Sequence, residues 1–118
     1  MKFRVCVRLG FSAAHRVTGH SGLGSRMHGH DFQAKLCAES QSLDDRGISH
    51  DLVVLEEALK SVLADLDYSV LNDVLGDENV TLEKLALHII QKAAAKVPAA
   101  CCVEVCVAGG RHCAEVRT

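Results

Sequence analysis

The stretch "HGHDFQAKLCAE", residues 28–39, decides how the chain is read, because most of it alternates between apolar and polar. Phe32, Ala34, Leu36 and Ala38 fall on one side and Gln33, Lys35, Cys37 and Glu39 on the other, the period of a half-buried strand. Side chains two apart on a strand share a face, so His28 and His30 project together, in parity with the apolar side. Imidazoles aimed at the lip of an apolar sheet need hydrogen bonds or a metal, since burial penalises their charge and strips water from the ring nitrogens.

Upstream, "KFRVCVRL" at 2–9 alternates in the same way, with Phe3, Val5, Val7 and Leu9 opposite Lys2, Arg4 and Arg8. It predicts a first strand paired antiparallel with the second. "FSAAHR" at 11–16 then carries His15 just past that strand, where the antiparallel return brings it towards His28 and His30. Three converging imidazoles with no fourth protein ligand suit a zinc site that keeps one position open for water or substrate. On spacing alone, histidines capping strand ends by hydrogen bonds fit equally well. Between the strands, "TGHSGLGS" at 18–25 reads as an irregular loop in which His20 is solvated. His50, His88 and His112 have no partner at ligand spacing and read as surface or capping residues.

Downstream, "SLDDRGISHD" is a turn, and Leu52, Leu55, Leu59, Val62, Leu63 and Leu66 recur at helical spacing. This predicts a helix over 51–66 with Asp51 as N-cap. "LNDVLGDENV" interrupts the pattern, and a second helix runs from its cap Thr81 to a stop near Pro98. "CCVEVCVAGGRHCAEVRT" closes the chain as two short strands around Gly109-Gly110, a hairpin signal. The order ββααββ predicts an α+β fold, a four-stranded antiparallel sheet backed by two helices, in one domain over 1–118. Such a sheet has two open edges that must be paired, charged or closed into a barrel, so the chain is expected to form a homo-oligomer.

Composition narrows the function classes. The 13 basic residues stand against 15 acidic ones with no basic run, which argues against a nucleic-acid partner. Trp is absent and there are only three Phe, so the core is aliphatic. No stretch reaches the length of a membrane span, and the strict alternation at the start does not suit a signal peptide; a soluble, cytoplasmic protein is the expectation. The six cysteines form no CxxC pair and are read as small buried hydrophobes rather than disulfides. Cys101 and Cys102, being adjacent, point to opposite faces of a strand.

Taken together, "FSAAHR…HGHDF" resembles the signature of the 6-pyruvoyltetrahydropterin and 6-carboxytetrahydropterin synthase family. "GISHDLVVLEEAL", "LDYSVLND", "ENVTLEKLA" and "EVCVAG" resemble further family segments in the family's order, covering nearly the whole chain. The resemblance implies the tunnelling fold, in which ββααββ subunits close a β-barrel as trimers and two trimers stack into a hexamer. It also implies zinc on His15, His28 and His30, and a pterin pocket at a subunit interface anchored by a glutamate, here Glu104. A carboxylate can accept paired hydrogen bonds from the 2-amino-pyrimidinone edge of a pterin.

In the family's reaction, zinc acidifies carbons beside the substrate hydroxyls, a cysteine thiolate with an Asp-His pair moves protons, and triphosphate is eliminated. Here the sequence departs from the pattern. Gly24, with Ser25 beside it, stands at the cysteine's place, and Tyr68 replaces the histidine, leaving Asp67 as the one matching member. Three functions remain open: a pterin-binding homologue without the standard synthase reaction, an atypical zinc-dependent carbon–oxygen lyase using His20, Ser25 or Tyr68, and a non-catalytic metal-binding or structural oligomer.

Overall fold

A computed structural model describes residues 1–118. Strands β1 (Phe3–His15) and β2 (His28–Ser40) form the long antiparallel ribbon that the alternation predicts. β1 runs farther than expected and carries His15 as its last residue. Helix α1 (Leu52–Ala64) follows, capped by the Asp51 side chain accepting from the Val53 N–H. Helix α3 (Leu82–Lys96) begins where Thr81 accepts from the Lys84 N–H. Strands β4 (Ala100–Val107) and β5 (His112–Arg117) close the chain as a hairpin whose turn places Gly109 and Gly110 at positive φ.

Two elements between the long helices were not anticipated. Ser69–Val70 forms a two-residue strand, β3, parallel to β1, and Leu71–Leu75 forms a short helix, α2. The sheet therefore has five strands in the order β3-β1-β2-β4-β5 rather than four. A five-residue helix and a two-residue strand are too short for either to display its period, and the segment reads as a break.

Helices α1 and α3 lie on the face formed by Phe11, Phe32, Ala34, Leu36, Val103 and Val105, and their buried Leu55, Leu59, Leu85 and Ile89 complete one aliphatic core. The opposite face carries Arg4, Arg8, Gln33, Lys35 and Glu104. β1 gains an outer neighbour only at Ala13 and Ala14, so most of its outer edge is unpaired within the chain. The molecule extends 53 Å along its longest axis and 24 Å across.

The cysteines depart from expectation. Cys6 is bonded to Cys37 and Cys106 to Cys113, while Cys101 and Cys102 are free. Each bonded pair occupies directly opposed register positions on neighbouring antiparallel strands, so both thiols leave the sheet on the same side. The reading as buried hydrophobes holds for Cys102 and, in part, for Cys101, which is half-buried.

Candidate metal centre and pterin site

Register places the three histidines together. His15 faces His28 across the β1–β2 ribbon and Ala13 faces His30, so all three rings emerge on one face at the ribbon's end. Their centroids form a triangle with sides of 4.6, 4.7 and 5.3 Å, each ring edge-on to the next. One ligand nitrogen from each lies within 4.8 Å of the others. Phe32 packs against His15 and His30 and makes the apolar floor of the cluster.

Two of the rings are oriented by the backbone. His15 Nδ1 lies 2.7 Å from the Val80 carbonyl oxygen, and His28 Nδ1 lies 2.7 Å from that of Arg26. A carbonyl only accepts, so each Nδ1 carries the proton and each Nε2 presents a lone pair, the arrangement that orients metal-binding histidines. Burial holds the His15 and His30 pKa values below the ordinary histidine range, which keeps both neutral and able to coordinate at pH 7. The cluster thus fits zinc in donor type and spacing, with two of its tautomers set by the backbone, and three such ligands would leave a coordination position open.

The segment Asp77–Thr81 fastens this centre, and each residue has its own bond. Glu78 pairs with Arg16 at 2.6 Å, and the Asn79 side-chain oxygen accepts from the Thr18 hydroxyl and the Gly19 N–H. Val80 offers its carbonyl to His15 and Thr81 caps α3. Buried Asn72 accepts from the Arg16 N–H and donates to the carbonyls of Arg16 and Asp77, tying the end of β1 to the same segment. Sequence reading missed Asn72 and Asn79 as supports; their partners lie about 55 to 60 residues away in sequence. The only signal was their place inside "LDYSVLND" and "ENVTLEKLA", segments quoted solely for their resemblance.

The other expected site residues lie apart from the histidines. Glu104 pairs in register with Lys35 on the opposite sheet face, 3.9 Å from its ammonium. There it lines a cleft of about 450 Å³ with Arg8, Gln33, Lys35 and the Cys106–Cys113 disulfide. Asp67 sits at the outer edge of β1, where its carboxylate accepts from the Ser12 N–H at 2.9 Å. Tyr68 is 89% exposed at a positive φ of 55°, its N–H donating to the Ser12 carbonyl. Ser25 donates its hydroxyl hydrogen to the Gly22 carbonyl. His20 packs against Gly24: a Cβ added there would lie 2.9 Å from its Nδ1, so the ring fills the space a side chain at position 24 would take.

A twisted antiparallel ribbon backed by two helices, with three histidines at one end, has the architecture of the tunnelling fold. The comparisons agree: the model of the 6-pyruvoyl tetrahydropterin synthase family matches residues 4–117, and the chain belongs to that family. It is 35% identical over 111 residues to a 6-carboxy-5,6,7,8-tetrahydropterin synthase of Synechocystis, covering 86% of each chain. Among solved structures it resembles the 6-pyruvoyl tetrahydropterin synthase of Caenorhabditis elegans, with a TM-score of 0.86 at 18% identity, covering 100% of this chain and 96% of that one. It also resembles a Plasmodium vivax 6-pyruvoyltetrahydropterin synthase bearing a substitution at a catalytic glutamate, with a TM-score of 0.77 at 17% identity over 100% and 98% of the two chains.

Proposed function

We propose that this protein is a zinc-binding, pterin-binding homologue of the synthases that does not run the standard synthase reaction. The observation that carries the proposal is the contrast at one end of the ribbon. The three histidines converge and two of their tautomers are set by the backbone, whereas position 24 has no side chain, position 68 is an exposed tyrosine and the Asp67 carboxylate is held by a backbone amide. His15, His28 and His30 would hold zinc, which supplies Lewis acidity towards a substrate oxygen. Glu104 would anchor the pterin ring by accepting hydrogen bonds from its amino-pyrimidinone edge.

Glu104 and the histidines face opposite sides of the sheet, so within one chain they do not share a pocket. A second copy would have to supply the missing half. This supports the homo-oligomer, with two stacked trimers as the expected assembly.

Two measurements test the reading. Calorimetry with a reduced pterin is expected to show binding that falls about tenfold or more in Glu104→Ala, the loss of a charge-assisted pair. Assay of triphosphate release from 7,8-dihydroneopterin triphosphate is expected to show no turnover. Robust turnover refutes the proposed loss of reaction, and absence of affinity for any pterin favours a metal-binding oligomer without a small-molecule site.

A second reading, an atypical carbon–oxygen lyase, is favoured by the His20 ring lying over Gly24. Histidine is a competent general base near neutral pH, and a family relative already relies on a catalytic glutamate. Under this reading, native protein turns over a pterin triphosphate, and both His20→Ala and Gly24→Ala lower the rate, the latter by displacing the ring. Turnover unchanged in both variants removes His20 from the chemistry.

A further inference from the structure

The Cys106–Cys113 pair, the Glu104 carboxylate and the cations beside them form a second constellation, remote from the histidines. Ligand atoms of Glu104, Cys106 and Cys113 all lie within 4.8 Å of one another. They line the cleft of about 450 Å³ on the face away from the helices, where Arg8 and Lys35 also lie. We propose that, once the disulfide is reduced, Glu104, Cys106 and Cys113 form a site for a thiophilic divalent cation such as zinc, and that formation of the disulfide abolishes it.

The chemistry balances with a dithiol reductant. The reductant gives two electrons and two protons, the sulfur–sulfur bond opens to two thiols, and the reductant closes to its own cyclic disulfide. Metal binding then releases the two thiol protons. Two thiolates, one carboxylate and a water would make a tetrahedral site, for which donor atoms stand roughly 3.5 to 3.8 Å apart. The three ligand atoms already lie within 4.8 Å of one another, and Cys113, exposed at the start of β5, is free to swing out towards that spacing once the bond opens. Three negative ligands around a divalent ion leave one excess negative charge. The Lys35 ammonium, 3.9 Å from the Glu104 carboxylate, offsets it, and the Arg8 guanidinium lines the same cleft. The hairpin turn through Gly109 and Gly110, with open space beside both α-carbons, leaves room for the exchanged ligand.

The site does not depend on the pterin reading, although both use Glu104, and the test requires no pterin. Full-length protein is treated with a non-thiol reductant until all six thiols titrate, then mixed with cobalt(II) as the probe. Thiolate coordination gives a near-ultraviolet sulfur-to-cobalt charge-transfer band that a three-histidine site does not produce. The band is expected in reduced protein, absent in oxidised protein, retained in Cys37→Ser and lost in Cys113→Ser. In Glu104→Gln the cobalt affinity read from the band is expected to fall on the order of tenfold or more. A reduced protein with six free thiols and no band overturns the proposal, as does a band that survives Cys113→Ser.

Discussion

His15 and His28 present the same nitrogen to the same point, yet they stand in unlike surroundings. His15 is buried, and its Nδ1–H partner, the Val80 carbonyl, is buried with it; His28 is half-exposed and bonds a carbonyl two residues away. Replacing His15 by Ala would therefore remove a proposed zinc ligand and also orphan a core carbonyl, at about 1–3 kcal/mol. Replacing His28 would remove the proposed ligand alone. Both variants are expected to lose zinc affinity by on the order of 100-fold or more, but His15→Ala alone unfolds at clearly lower denaturant. Titration with a metal indicator, alongside urea unfolding of the metal-free proteins, separates the two effects. Period-two alternation made it legible that His28 and His30 share a face, and the antiparallel return that His15 comes near them. What holds them was not legible, because Val80 is 65 residues from His15 and a backbone carbonyl leaves no mark in the sequence.

Among the elements, the long strands and helices were readable because each spans several periods and carries its own punctuation: Asp51 and Thr81 at the caps, Gly109-Gly110 at the hairpin. Between α1 and α3 that signal vanishes, and specification passes to single polar side chains. Asn72 replaces periodicity with three hydrogen bonds made from a buried position. Asn72→Ala is expected to cost about 2–3 kcal/mol and to weaken zinc binding indirectly, since the backbone next to His15 loses its tie. Calorimetric melting of the variant with and without zinc checks this; a melting temperature equal to that of the native protein refutes it. The disulfides followed a similar rule. The parity that put Cys6 and Cys37 on the outward face was readable, but their opposition also required the register, which only the paired strands supply.

For the molecule as a whole, shape and charge both bear on stability. A radius of gyration of 15.1 Å exceeds the roughly 13.5 Å of a compact domain of this length, and Val5, Val7 and Leu9 on the lower half of β1 are only half-buried. That apolar strip, beside an unpaired edge, is what a partner subunit would cover. Titration acts in the opposite direction. Burial lowers the pKa values of His15, His30 and His88, so below about 6.5 the unfolded chain takes up protons that the folded chain refuses. The unfolded state then binds more protons, and stability falls as pH drops from about 6.5 towards the lowered folded values. Urea unfolding of metal-free protein at pH 7.5 and 5.5 is expected to show a lower midpoint at the acidic pH, and an unchanged midpoint would refute it.

The bond from His15 to Val80 also fixes an order of events in time. The β1–β2 ribbon alone brings the three rings together, but the Val80 carbonyl that sets the His15 tautomer arrives only when the segment leading into α3 docks, so a half-folded chain offers the cluster with one ring unoriented. If the cluster binds zinc as proposed, the affinity of a refolding chain for the ion rises when α3 docks and not when the ribbon first forms.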